Sequence, residues 1–196
     1  WYGEGSFKVQ SGGVTISTDP FESGSGLTAP RFKAEIVLKS DEIPEYQSLK
    51  MLEGQHIAGP GEYEVQGVEI RGYAAEGKSA VYAVKTEGMK LAFLGALKAK
   101  ELSPEAMTAL RSADIVFIPV GGEPYIDAAD AAKLIKLLEP KIVIPAFYKI
   151  EGLKRAAGAV DGFIKILGQS GEAQEKLTIK AKDITWEGTK LVVLKI

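Results

Sequence analysis

The chain has 196 residues, of which 45% are hydrophobic and 26% charged, with 24 basic against 26 acidic side chains and a formal net charge of −2. That length holds one domain with a sizeable core, and the balance lacks the basic surplus that nucleic acid or an anionic membrane surface attracts. No apolar run approaches the ~20 residues that cross a bilayer. Cysteine is absent and His56 is the only histidine. Disulfides, thiolate sites and a Cys nucleophile are therefore excluded, and one imidazole does not make a conventional zinc, iron or copper site within the chain. This composition fits a reducing cytoplasm, the expected location. No signal peptide is evident, and the start at Trp1 rather than Met leads us to expect that a residue or more has been removed or left out.

Phe7 to Gln10 and Val14 to Thr18 read as strands joined by Gly12-Gly13, a hairpin signal. Pro20 ends the second strand, and the Gly/Ser-rich stretch from Glu22 to Pro30 reads as an exposed loop. Glu35 to Leu38 is nearly continuous in Ile and Val, as a strand buried on both faces is, and runs into a loop crowded with Asp41, Glu42 and Glu45. Such loops at strand ends are where α/β proteins place their chemistry. Glu45 to Leu52 has the pattern of a short, weak helix. Gly59-Pro60-Gly61 is a sharp turn, and Val65, Val68, Ile70 and the stretch to Ala74 read as strand interrupted at Gln66-Gly67.

Ala80 to Thr86 and Lys90 to Leu94 predict a second hairpin about Glu87-Gly88. Ser103-Pro104-Glu105 predicts a helix start, with Ser as N-cap and Pro in the first turn, running to about Ser112. Ile115 to Val120 is a buried strand ending in Gly121-Gly122. Asp127 caps a helix through Leu138 with Ala131, Leu134, Ile135 and Leu138 on one face, stopped by Pro140. Lys141 to Tyr148 predicts a strand and Gly152 to Leu167 a helix, weakened by Gly158 and Gly162. Leu177 to Lys180 and Lys190 to Ile196 predict closing strands. The order points to a mixed α/β or α+β chain with helices packed on sheets, and to one domain over residues 1–196. The glycine pairs form neither a P-loop nor a dinucleotide fingerprint, so they are read as turns.

Trp1-Tyr2-Gly3 with Phe7-Lys8, Thr18-Asp19-Pro20, Gly59 to Val65, Phe117 to Gly122 and Ile142 to Pro145 together resemble the metallo-β-lactamase superfamily, in the right order along the whole chain. Within it, the branch of metal-dependent hydrolases similar to ascorbate-6-phosphate lactonase is nearest. The resemblance implies a four-layer αββα sandwich with a binuclear metal site at one edge, where the metals acidify a bound water into a hydroxide nucleophile. It also implies ligand positions: an H-x-H-x-D-H motif after an apolar strand, a later His, a bridging Asp after Leu-Gly and a last His after Ile-Pro.

Carried across, those positions hold Asp41, Ile43, Glu45 and Tyr46 in the motif, Ala96 after Leu94-Gly95, and Phe147 after Ile144-Pro145-Ala146. The His of the segment near Gly72 to Lys78 has no counterpart, and His56 falls where the family uses none. No catalytic residue and no cofactor is therefore expected. Asp19, Asp41, Glu42 and Glu45 remain as candidate ligands for a hard cation such as Mg²⁺ or Ca²⁺, against the simpler reading of solvated loop acids. Ile43, Ala96 and Phe147 are expected to plug the metal volume with apolar atoms; an apolar ligand pocket is the alternative. Of Tyr46, Tyr73, Tyr125 and Tyr148, the candidates for lining a cleft, Tyr148 has the best case, because it follows the strand bearing the last ligand. A pseudoenzyme acting as a binding or assembly subunit is the favoured reading, with an unknown protein partner or self-association and with neither nucleic acid nor membrane. A hydrolase of lactones or phosphoesters, using oxygen ligands or a site completed by a second chain, is the alternative.

Overall fold

Gly12-Gly13 turns strand β1 (Phe7–Ser11) back on β2 (Val14–Thr18), with Phe7 opposite Thr18 and Ser11 opposite Val14. The computed structural model describes residues 1–21, 24–41, 53–77, 79–171 and 173–196. Next to β2 lie, in parallel, β3 (Ile36–Lys39) and then β4 (Gln55–Ala58), giving a sheet of order β1-β2-β3-β4. The larger sheet begins with three antiparallel pairings among β5 (Gly61–Val65), β6 (Val68–Ala74), β7 (Ala80–Thr86) and β8 (Met89–Phe93). It continues in parallel through β9 (Ile115–Pro119), β10 (Ile142–Ala146) and the two-residue β11 (Lys190–Leu191).

Helices α1 (Pro104–Leu110) and α2 (Ala128–Leu138) start where their caps predict. The Ser103 hydroxyl accepts from the Ala106 N–H at 3.2 Å, and one Asp127 carboxylate oxygen accepts from the Ala129 and Asp130 N–H groups at 2.9 Å each. Each cap is worth about 1 kcal/mol, because it satisfies N–H groups that have no partner inside the helix.

Two apolar layers follow from the alternation of side chains along the strands. One lies between the sheets and joins Phe7, Ile16, Leu38 and Ile57 to Ile70, Tyr82, Phe93, Phe117 and Ile144. The other lies between the larger sheet and the helices, where Val81, Val116, Ile118 and Val143 meet Leu110, Leu134, Leu138 and Phe163. The Tyr82 hydroxyl ties the sheets together: it donates to the Lys39 carbonyl at 2.5 Å and accepts from the Gly59 N–H at 2.9 Å. The result is a mixed α/β sandwich flanked by helices, as expected. The short helix expected over 45–52 lies outside the described residues.

Several expectations change. The stretch read as one strand interrupted at Gln66-Gly67 is a hairpin of β5 and β6 about that pair, and the closing strand expected over Lys190 to Ile196 is only the two residues of β11. Strand β4 is absent from the sequence reading because its one inward residue, Ile57, sits among exposed neighbours and gives no run to detect. The helix expected from Gly152 is only α3 (Asp161–Leu167). Before it the backbone folds back on the strand ends, with Gly158 donating to the Gly121 carbonyl at 2.8 Å and accepting from the Lys149 N–H at 2.9 Å. Leu177 to Lys180 is no strand; Leu177 and Ile179 do turn inward onto the core, but the segment has no ladder partner there beyond the bridge of Gln174 with Leu194.

Candidate functional site

The chain turns that leave β2, β3, β8, β9 and β10 come together at one end of the sandwich. Asp19 follows β2, Ser40 and Asp41 follow β3, Gly95 and Ala96 follow β8, Gly121 follows β9 and Phe147 follows β10. The parallel pairing of β2 with β3 and of β8 with β9 and β10 puts these loops on the same edge.

Asp19 is at the centre. Its two carboxylate oxygens accept from Ser40, one from the N–H at 2.7 Å and one from the hydroxyl at 2.8 Å. The same Ser40 hydroxyl accepts from the Ala96 N–H at 2.8 Å, and the Ser40 carbonyl accepts from the Ala80 N–H at 2.7 Å. A single serine thus couples β2, β3, β7 and the turn after β8. The Asp19 carboxyl group is enclosed although the residue as a whole keeps some exposure. Burial pushes its pKa from 3.8 up to about 6, with the Ser40 hydrogen bonds opposing that rise and the neighbouring Asp41 charge adding to it. Gly95 has φ +51 and lies against Ser40, so a side chain there would collide with Ser40.

Asp41 faces a cation of the chain itself: the Lys98 ammonium is 2.8 Å from a carboxylate oxygen whose side chain is only 9% exposed. Ala96 and Phe147 are fully buried. The Phe147 ring packs 4.5 Å from that of Tyr125 and against Gly5, where any Cβ would strike the ring. A void of about 10 Å³ is lined by Asp19, Gly95, Phe93, Phe117 and Phe147, about the least that holds a single water.

Phe147 holds φ +55, a left-handed conformation that is uncommon for a bulky residue. Its N–H donates to the Glu4 carbonyl at 3.2 Å and its carbonyl accepts from the Arg155 guanidinium at 2.7 Å. That guanidinium also grips the Glu4 carboxylate in bidentate fashion, at 2.9 and 2.8 Å, with the Glu4 side chain 1% exposed. Tyr125 lies beneath it, 5.1 Å from ring centre to guanidinium carbon.

Of the candidates read from sequence, Asp19, Asp41, Ala96 and Phe147 are thus brought to this edge. Glu42, Ile43, Glu45 and Tyr46 lie outside the described residues, so the full apolar trio is not on view. His56 is exposed on β4, and Tyr148 is buried, donating to the Leu194 carbonyl at 2.9 Å rather than lining a cleft. Burial raises the Tyr148 pKa above the ordinary phenol value. Ser40, Lys98, Glu4 and Arg155 carry no such signal in the sequence. Glu4 and Arg155 are 151 residues apart, and no local pattern joins them; the flanking of Glu4 by Gly3 and Gly5 is the one hint that its backbone is tightly placed.

The described donors do not fit a binuclear transition-metal centre. Asp19 accepts one hydrogen bond from Ser40 at each oxygen, Asp41 is held by an ammonium that would repel a metal ion, and Ala96 and Phe147 offer no ligand atom, which leaves two carboxylates and no imidazole or thiolate. Among the described residues no three His, Cys, Asp or Glu side chains gather as a metal-binding group.

A family model described as a beta-lactamase superfamily domain matches residues 1–146. A metal-dependent hydrolase of Lysinibacillus sphaericus is 25% identical over 193 aligned residues, covering 76% of this chain and 83% of its own. A crystal structure from Thermotoga maritima, described as a Zn-dependent hydrolase of the metallo-β-lactamase superfamily, is 31% identical. It aligns with 100% of this chain and 97% of its own at a TM-score of 0.83. A metallo hydrolase from Ignicoccus hospitalis shares the fold at 14% identity and a TM-score of 0.66, over 97% of this chain and 92% of its own.

Proposed function

Since this chain belongs to the metallo-β-lactamase superfamily, we propose that it is a member whose metal centre has been lost and which serves as a binding or assembly subunit. The observation that carries this reading is the Phe147 ring, fully buried at the position of the last ligand, with a void of about 10 Å³ beside it. A water-derived nucleophile needs a polarising ion and room for a substrate next to it. Phe147, Ala96 and the Lys98–Asp41 pair supply neither.

The reading extends to a single domain over residues 1–196 in the cytoplasm, with a protein partner or a second copy of itself as its target. Hydrolysis of a lactone or phosphoester is the second reading, and membership in a hydrolytic superfamily is what favours it. It requires oxygen ligands from Asp19, Asp41, Glu42 and Glu45, or ligands from another chain. A fold is readily kept after its chemistry is gone, which is why the site and not the fold decides between the two.

Elemental analysis of protein purified without chelator tests the choice. The expected result is below about a tenth of an equivalent of zinc, iron or manganese per chain, with unfolding temperature unchanged by chelator, because metal that holds a folded site adds to stability. Near-stoichiometric metal, lost together with hydrolysis on Asp41→Ala, would establish the hydrolase instead.

A further inference from the structure

At the end of the sandwich opposite the Asp19 cluster lies a cavity of about 420 Å³. Its place follows from the topology. Ser11 ends β1, Thr86 and Met89 flank the β7–β8 turn, and Ile115 begins β9, and all of them line it. The inner wall is apolar and buried, formed by Leu91, Ile115, Ile144 and Leu194. Leu177 and Ile179 close the outer side from the segment that has no strand partner. The volume falls within the range of about 300–1,000 Å³ typical of small-molecule sites, and the lining joins this apolar wall to polar residues from β1, the β7–β8 turn and the segment 175–179.

The cavity has a blind end. Phe7 and Phe117 line both it and the small void beside Asp19. Their rings meet edge to face at 4.7 Å, and Phe117 stacks on Phe93 at 4.5 Å. This aromatic wall separates the cavity from the closed strand-end site, so an occupant enters from the other side, past exposed Gln10, Lys176 and Thr178. The charged residues of the lining are Lys8, Glu175 and Lys176. Glu175 lies 4.0 Å from Lys195 and the Lys8 ammonium sits 5.1 Å over the Phe32 ring, outside the lining, which leaves Lys176 as the surplus positive charge at the cavity.

We propose that this cavity is a binding site for an amphiphilic carboxylate, with its aliphatic body against Leu91, Ile115 and Phe117 and its headgroup at the Lys176 side. The apolar wall supplies affinity through area removed from water, and the Lys176 ammonium selects the sign of the headgroup. The site shares no polar residue with the Asp19 cluster and does not depend on whether a metal is bound there, so it stands or falls separately from the function proposed above.

Calorimetric titration with sodium dodecanoate, below its micelle concentration, tests it on the whole chain. One equivalent is expected to bind saturably, at least about tenfold more tightly than dodecyltrimethylammonium. Met89→Trp, which fills the mouth, is expected to weaken binding about tenfold or more while the unfolding temperature stays within about 3 °C. Lys176→Glu, on an exposed side chain, is expected to weaken dodecanoate about threefold or more and to leave the cationic amphiphile unharmed. Should Met89→Trp perturb the fold, Val9→Trp occludes the same space from β1. Absence of saturable binding, wild-type affinity in both the occluded and the Lys176→Glu proteins, or equal affinity for the two headgroups would overturn the assignment.

Discussion

Arg155→Met is the most informative single change at the strand-end cluster. Methionine keeps much of the length and the apolar stem of arginine but removes the guanidinium. In the wild type that guanidinium makes two hydrogen bonds to Glu4 at 2.9 and 2.8 Å and one to the Phe147 carbonyl at 2.7 Å. Glu4 is 1% exposed, so the variant leaves a carboxylate in a low-dielectric setting without the cation opposite it. Breaking a buried pair from one side costs about 3–5 kcal/mol, chiefly the desolvation of the remaining charge. In a chain of this size 1 kcal/mol moves the unfolding midpoint by about 2–4 °C, so a fall of about 6–20 °C is expected. Thermal and urea unfolding followed by circular dichroism measures it. Glu4→Gln combined with Arg155→Met removes the stranded charge. The double variant is expected to be more stable than Arg155→Met by more than the ~0.5 kcal/mol to which independent sites add. A midpoint within about 3 °C of wild type for Arg155→Met, or a double variant no better than the single, would refute the reasoning.

Two further changes probe the same edge. Phe147→Ala removes a fully buried ring packed on Tyr125 and Gly5, and the rigid strand ends around it limit collapse; a loss of about 3–5 kcal/mol in urea unfolding is expected, and a loss under about 1 kcal/mol would contradict the plug. Asp19, with its pKa raised from 3.8 to about 6, binds a proton more tightly in the folded than in the unfolded chain. The stabilisation from that proton is fully present below about pH 4 and is lost as pH rises through 6, an amount of about 3 kcal/mol. Asp19→Asn cannot ionise, so the stability gap between wild type and variant is expected to shift toward the variant between pH 4 and pH 7; a gap independent of pH would rule this out.

The Ser40 network explains why the edge is kept in order although its acids face no imidazole. Each buried polar atom named in it has a partner: Asp19 accepts twice, and the Ser40 hydroxyl donates once and accepts once. Unpaired, such groups would each cost about 1–3 kcal/mol. Among the described residues of this edge, Asp41 and Glu4 are thus each held by a cation of the chain itself, Lys98 and Arg155 respectively.

Local chemistry determined much of this molecule. Gly12-Gly13 and Glu87-Gly88 turn their hairpins where the residues say, because tight turns demand positive φ within two residues; Gln66-Gly67, read as a break within one strand, proves to be a third such turn. Ser103 and Asp127 start their helices, and the apolar runs of β3, β9 and β10 are buried throughout or nearly so. Composition alone limited the metal chemistry, since one histidine and no cysteine cannot be rearranged into a conventional site by any fold. Tertiary structure decided the rest. Strand β4 is defined by pairing with β3 and not by its own polar residues, and Leu177 to Lys180 alternates like a strand but meets no ladder. Glu4 finds Arg155 across 151 residues, Asp41 finds Lys98 across 57, and the cavity above Leu91 needs the C-terminal segment laid across β1. Hydrophobic period, caps and turns act within a few residues and leave a record there, whereas the partners of a buried charge are set by which strand ends the sheet topology brings together.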